Sequence, residues 1–428
     1  MRKDTKPNIT PRIYSRDEHI VSRKNIDPDA LKVMRRLMRN GYKAYLVGGA
    51  VRDLLLGKKP KDFDIATDAT PHRVKSLFRN CRIIGRRFKL AHIYFNNGKI
   101  LEVSTFRANH DEFTAEELNS EEIDDKDFIL TDDNVYGDEC SDALRRDITI
   151  NALFYSLKDF SVIDYTGGME DLRKGIVRVI GDPDVRFIED PVRMLRTVRH
   201  SVRAGCKLDK SCISALENRQ HLIEQCSAPR LYEEVRKDLT SGYLVEIFQA
   251  YSKHGLLQYL MPEIFEKSQE LLDSHSLCGK ALKKIDAYAL SSGFETTTPI
   301  FATFAYFLAC QNPTELNSLF SDKTEALDYA NNCFKKLVIP RKEREHIADI
   351  LNSIRVLSEE NVSPATIRRI ARNSSFNDLK LVLNFLNTDE TMEPLLNKLE
   401  DVPKDNKNAK SNRSKGRPFY RNRSRRRN

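Results

Sequence analysis

The chain has no long hydrophobic run. Its longest strongly apolar stretch, Ile300 to Cys310, has 11 residues, against the roughly 20 needed to span a bilayer, so it is expected to be a buried helix and no membrane partner is expected. The start, Met1 to Thr10, is polar and carries no secretory core. Glycine and proline are sparse, 17 and 16 in 428 residues, too few for a collagen-like or largely disordered chain. The eight cysteines include no C-x-x-C pair and no Cys/His cluster of zinc-finger spacing. Free thiols in a reducing, cytoplasmic setting are the expectation. The length allows two to four domains by the usual ~100–200 residues per domain.

What charge there is sits unevenly. The net charge is +9. From Lys404 to Asn428 there are 11 Lys/Arg and one acid, Asp405, which leaves the rest of the chain near −1. Such a segment cannot bury a core and is expected to be a disordered basic tail. Its use would be polyanion binding, through Lys404, Arg417, Arg421, Arg423, Arg425, Arg426 and Arg427. Residues 111–142 are the reverse, with 14 acids and one base, Lys126, a solvated excursion.

Apolar spacing predicts a helix over Asp29–Met38, a strand Tyr45–Val47 running into Gly48-Gly49, a helix Ala50–Leu56 and a strand Phe63–Ala66. Thr70-Pro71 opens a helix to Phe78, and Asn96-Asn97-Gly98 joins Ala91–Phe95 to Lys99–Phe106 as a hairpin. Beyond Asp171 strand signals fade. Glu189–Ala204, Cys212–Ile223, Arg230–Thr240, Leu244–His254 and Leu379–Leu386 have helical patterns. The expectation is an α+β fold: a leader and first helix (1–40), a head with a small mixed sheet (41–172), an all-α neck (173–260), an all-α body (261–403) and the tail (404–428).

The chemistry concentrates in Leu46-Val47-Gly48-Gly49-Ala50-Val51-Arg52-Asp53 and Lys61-Asp62-Phe63-Asp64. Paired glycines between a strand and a helix let a ligand approach the backbone closely and offer N–H groups to an anion, with Arg52 in reach. Asp62 and Asp64, two apart on an expected strand, would face one way. Paired carboxylates of this kind suit Mg²⁺ or Mn²⁺, which bridges them to substrate phosphates. An anion cradle beside two carboxylates is the equipment of nucleotidyl transfer.

Three further strings follow: Arg145-Arg146-Asp147-Ile148-Thr149-Ile150-Asn151-Ala152-Leu153, Asp164-Tyr165-Thr166-Gly167-Gly168-Met169-Glu170-Asp171-Leu172, and Glu189-Asp190-Pro191-Val192-Arg193-Met194-Leu195-Arg196. Together, over about residues 40–260, they resemble the class II nucleotidyltransferases, the family of tRNA CCA-adding enzymes and bacterial poly(A) polymerases. The resemblance implies Asp62 and Asp64 as catalytic metal ligands and Gly48, Gly49, Arg52, Arg146, Asp190, Arg193 and Arg196 around the nucleotide. Asp147 is the favoured third carboxylate, with Glu102 as the alternative and an N-cap on a helix starting at Ile148 as its plain structural role. Asp190 and Arg193 would read the donor–acceptor pair that adenine and cytosine share and that guanine and uracil reverse. The segment Ile83–Ile93, with Arg86 and Arg87, looks like the poly(A) polymerase branch, and those two arginines would touch RNA. The resemblance therefore implies ATP as substrate and RNA 3′ ends, of mRNA and other transcripts, as partner. RNA-decay proteins are a further partner class; DNA is not a partner, and a monomer is expected. A CCA-adding enzyme and a non-catalytic RNA-binding protein are the rival readings.

Overall fold

A computed structural model of the chain describes residues 9–85, 89–108, 136–310 and 313–400. Arg86, Arg87, most of the acidic excursion, and Lys404, Arg417, Arg421, Arg423, Arg425, Arg426 and Arg427 lie outside the described residues.

The head is built on eight strands: β1 (Arg12–Tyr14), β2 (Ala44–Val47), β3 (Asp64–Thr67), β4 (Cys81–Ile84), β5 (Leu90–Tyr94), β6 (Ile100–Thr105), β7 (Leu153–Ser156) and β8 (Val162–Asp164). They form one mixed sheet in the order β1-β8-β7-β2-β3-β6-β5-β4. Only the β3–β6 pair is parallel. The chain between those two strands carries a helix and the outer strand pair, the crossover that parallel pairing demands.

Three short helices cover one face: α1 (Pro28–Arg39), α2 (Gly49–Leu55) and α3 (Pro71–Leu77). The Asp27 carboxylate caps α1 by accepting from the N–H groups of Asp29 and Ala30, and the Thr70 hydroxyl caps α3 from Arg73. Leu31, Val33, Met34 and Leu37 are buried on α1 and share a core with Leu46, Ile65 and Val103 of the sheet. Each side chain of that size contributes about 1.5–3 kcal/mol when removed from water.

Helix α4 (Glu139–Leu144) falls between β6 and β7; after the sheet come α5 (Gly168–Lys174), α6 (Pro183–Glu189), α7 (Val192–Ala204), α8 (Lys210–Arg219), α9 (Ala228–Leu239) and α10 (Leu244–Lys253), then helices as far as Glu400. Among those last helices Thr298–Ala309 is buried on nearly every side, as its apolar run requires. The α+β architecture read from the sequence is therefore present: a sheet at the front, helices behind.

Three local expectations are corrected. Glu189–Ala204 is not one helix. It breaks at Asp190, whose backbone is extended (φ −153°, ψ 93°) because the following proline disfavours helical geometry in the residue before it. The rear is not wholly helical, since β9 (Ile176–Val177) and β10 (Lys207–Leu208) form a small parallel pair. Strands β1, β4, β7 and β8 are also absent from the sequence reading. All four residues of β7 are buried, and a continuous apolar run carries no alternation to separate strand from helix.

Candidate functional site

Strand β2 ends at Val47 and α2 begins at Gly49, so one residue turns the chain. Gly48 does this at φ +71°, ψ −140°, a region that L side chains rarely enter. A Cβ there would lie 3.5 Å from Nη1 of Arg146 and 3.9 Å from Oδ2 of Asp64. The glycine turn, an arginine and an acid thus meet at one point. One turn into α2, Arg52 is 2% exposed. Its Nε and Nη2 donate to Oδ1 of Asp53 (2.8 and 2.7 Å), and its Nη1 to Oδ1 of Asn151 (2.8 Å) and to Nδ1 of His200 (3.3 Å).

Asn151 is held in place from behind. It ends a 3-10 turn, Thr149–Asn151, so no helix starts at Ile148 and Asp147 is not its cap. The turn rests on Gly168, where a Cβ would sit 2.3 Å from the Thr149 carbonyl oxygen. The Thr149 hydroxyl donates to Oδ2 of Asp171 (2.7 Å). The buried Asp164 carboxylate accepts the N–H groups of Thr166, Gly167, Gly168 and Met169 at 2.9–3.1 Å. The Asp164–Leu172 string is scaffolding for Asn151 and, through it, for Arg52.

Asp64 opens β3, paired with Val47. Continuing that antiparallel register sets Asp62 opposite Gly49, which already belongs to α2, so Asp62 lies ahead of the strand and not on it. The two acids still converge, because both line one cleft. Strand β6 brings Glu102 alongside, since Ile65 pairs with Val103 one residue on. Asp64 meets water at the mouth of the cleft while protein surrounds most of it. Its carboxyl is pushed up to about 6, first by that desolvation and then by the charges of Glu102 and Asp62, with Arg146 pulling the other way. Hard oxygens whose mutual repulsion a cation would relieve fit a divalent ion shared with substrate phosphates. Among the described residues, no three His, Cys, Asp or Glu side chains converge closely enough to hold a metal by themselves, so the fit is to such a shared ion and not to a closed protein cage.

The rest of the lining is mostly basic. A cleft of about 430 Å³ is lined by Gly48, Gly49, Asp62 and Asp64 together with Arg52, Arg145, Arg146, Arg196, His200 and Arg203, with Lys61, Asp147 and Asn151 among the rest. Buried acids aim these arginines. Asp142, fully buried, accepts from Arg145 (Nε, 2.9 Å) and Arg146 (Nη2, 2.8 Å). Burial works against its charge, yet the two guanidiniums outweigh burial and lower its pKa. Glu234, on α9, accepts from Arg196 (2.8 Å) and Arg199 (2.6 Å). Its pKa is likewise lowered, against burial, by Arg196, Arg199 and Lys237. Arg186 ties α6 to the head through the carbonyls of Arg145 and Arg146 (3.1 and 3.3 Å).

An anion cradle, a pair of carboxylates and several guanidiniums around one cleft suit a phosphorylated ligand beside a cation. Residues 44–178 match the family model described as the poly A polymerase head domain. The head belongs to that family. Residues 205–267, which include α8, α9 and α10, match a second model, the probable RNA and SrmB-binding site of polymerase A. The chain is 46% identical over 269 residues to poly(A) polymerase I of Escherichia coli O157:H7, covering 63% of this chain and 57% of that protein. It is 36% identical over 215 residues to a CCA-adding enzyme of Bacillus pumilus, half of each chain. It thus spans less than two thirds of the length of these curated relatives. The fold matches that of the Bacillus stearothermophilus CCA-adding enzyme solved with CTP, with a TM-score of 0.59 at 24% identity over 88% of this chain and 82% of that one.

Within this poly A polymerase head, the structure brings together Gly48, Gly49, Arg52, Asp62, Asp64, Arg146, Asp147 and Arg196. It departs from the sequence reading at two acids, Asp147 and Asp190, and a base, Arg193. Asp147 does not stand free beside the acid pair, because its oxygens accept from Arg193 Nε and Arg196 Nη1, each at 3.1 Å. Glu102, the alternative acid, stands beside Asp64 with Asp62, but it does not line the cleft and its Oε2 lies 3.5 Å from Nε2 of His92. Asp190 and Arg193 do not line the cleft. Asp190 accepts from Arg230 (2.6 Å) and from the Val192 N–H (3.3 Å), while Arg193 also donates to Glu189 (2.6 Å). The sequence reading passed over His200, Asp142 and Glu234. The signal for the first was present: 193, 196, 200 and 203 recur at helical spacing on α7 and share a face. Among the described residues, no helix is long and apolar enough to cross a membrane.

Proposed function

We propose that this protein is a poly(A) polymerase, transferring AMP from ATP to RNA 3′ ends and releasing pyrophosphate. The observation that carries the reaction class is the cleft that joins the Gly48 turn to Asp64 and Arg146 within one contact shell. ATP over CTP is supported by the higher identity to poly(A) polymerase I than to the CCA-adding enzyme. The 41–172 head would carry the chemistry, the 173–260 neck the base and RNA, and the 261–403 body further RNA contacts.

In this reading Asp62 and Asp64 hold Mg²⁺ or Mn²⁺, and Glu102, in place of Asp147, is the third acid of the group. A divalent ion held there supplies Lewis-acid assistance to the attacking hydroxyl and the departing pyrophosphate. The chain's own work is electrostatic and positional. The N–H groups at Gly48-Gly49 and the guanidiniums of Arg52 and Arg146 take up the triphosphate's charge in fixed geometry, so no reorganisation is needed as charge shifts to the leaving group. Asp147 acts one step back, holding Arg193 and Arg196 in place. For base choice, Asp190 and Arg193 exchange Arg230 and Glu189 for the edge of adenine. The basic residues 404–428, with Arg86 and Arg87, supply sequence-independent phosphate contacts. The protein acts in the cytoplasm as a monomer on transcript 3′ ends, alongside RNA-decay proteins.

The deciding experiment incubates the chain with an unstructured RNA primer, Mg²⁺ and one labelled nucleotide at a time, with a tRNA lacking its 3′ end in parallel. Processive AMP addition to the primer supports the reading. Efficient CTP addition to the truncated tRNA would make the enzyme a CCA-adding one, and no addition at all would leave an RNA-binding protein.

A further inference from the structure

His200 has no place in the chemistry so far, yet it lines the cleft between Arg196 and Arg203. Its Nδ1 lies 3.3 Å from Nη1 of Arg52. A guanidinium only donates, so Nδ1 is the acceptor and the ring's proton sits on Nε2. Nε2 makes no hydrogen bond within the described residues and is not sealed from water. The ring also stays neutral. Burial first, and then the charges of Arg52, Arg199, Arg203 and Arg196, hold its pKa well below the ordinary histidine value. The lining therefore carries, among its arginines, one neutral donor with no acceptor among the described residues.

We infer that His200 contacts the substrate: its Nε2–H donates to a phosphate oxygen of the bound triphosphate, and of the pyrophosphate that leaves, while Nδ1 holds Arg52. A neutral imidazole suits this place. It adds a directed donor without adding a fifth positive charge to the four arginines around it, and it reports on Arg52, whose guanidinium it shares with Asp53 and Asn151.

The inference rests on the proposal that this cleft takes a nucleoside triphosphate, and the test separates the two. Inhibition by inorganic pyrophosphate and the KM for ATP are measured during AMP addition to an RNA primer, for the wild-type chain, His200→Phe and His200→Gln. Phe keeps the ring and removes both nitrogens; Gln places an amide donor near Nε2. The expected result is a pyrophosphate inhibition constant and a KM raised about tenfold in His200→Phe, as for loss of a hydrogen bond to a charged group. The effect on kcat is smaller, the thermal midpoint is unmoved, and His200→Gln lies within a few-fold of wild type. Wild-type values in His200→Phe, or a His200→Gln as weak as His200→Phe, overturn the contact. A wild-type chain that adds no AMP overturns the reading beneath it, and the inference with it.

Discussion

Arg196 and Glu234 meet at 2.8 Å where α7 crosses α9, with Arg196 also donating to Asp147 at 3.1 Å. One side chain thus links the cleft to the buried floor of the neck. Burial disfavours the charge of Arg196, but Glu234 and Asp147 more than compensate and its pKa is raised. Removing one member of a buried pair leaves the other charge uncompensated, at a cost of about 3–5 kcal/mol. Glu234→Ala is expected to lower the thermal midpoint by several degrees and to raise the KM for ATP, measured by calorimetry and by primer extension.

The same residue sets an acid limit. The folded-state pKa of Glu234 is depressed, so the unfolded chain binds its proton first as pH falls. Its stabilisation is complete above the ordinary carboxylate pKa of about 4.3 and is lost below it. Denaturant unfolding at pH 7 and pH 4 should show the wild type losing more stability than Glu234→Gln between the two.

Asp64 carries the opposite sign. Its folded pKa of about 6 exceeds the unfolded value near 3.9. Between those values the unfolded chain holds fewer protons, so stability falls as pH rises through the window, and the full penalty stands above it. Asp64→Asn should therefore melt at or slightly above the wild type at pH 7.5 without divalent cation, because the water that reaches Asp64 screens most of the penalty, while losing all nucleotidyl transfer. Mg²⁺ should raise the melting point of the wild type and not of the variant, measured by scanning fluorimetry.

Gly48 is bound to its backbone conformation. Forcing a Cβ into that region costs about 1–3 kcal/mol, and the added methyl would sit between Arg146 and Asp64. Gly48→Ala should lower the melting point and reduce kcat/KM by orders of magnitude. Gly98→Ala, also at positive φ but with open space around it, should leave transfer intact. Primer extension compares them.

The sequence disclosed the site better than the sheet. Gly48, Arg52 and Asp64 were legible because a strand ending in glycines before an arginine-bearing helix is a local pattern, and that one β2–α2–β3 segment supplies the glycine turn, Arg52 and the acid pair of the cleft. Strand β7 was hidden by its uniform burial, and β1 by its length of three residues. The contacts of Asp147 are hidden from the sequence for a different reason. Its partners, Arg193 and Arg196, are 46 and 49 residues away, and only the docking of α7 on the head spends its charge on them. The placing of Glu102 beside Asp64 likewise depends on a parallel strand pairing that sequence periodicity does not show.

The most direct test of the central claim is nucleotide incorporation by the wild type, Asp62→Ala and Asp64→Ala on an unstructured RNA primer with Mg²⁺, with primer binding measured on the same samples. The account predicts long adenylate tails from the wild type with ATP. It predicts no extension by either variant, at RNA affinities close to wild type. Undiminished extension by Asp64→Ala, with that residue's carboxylate gone from beside the Gly48 turn, would contradict it.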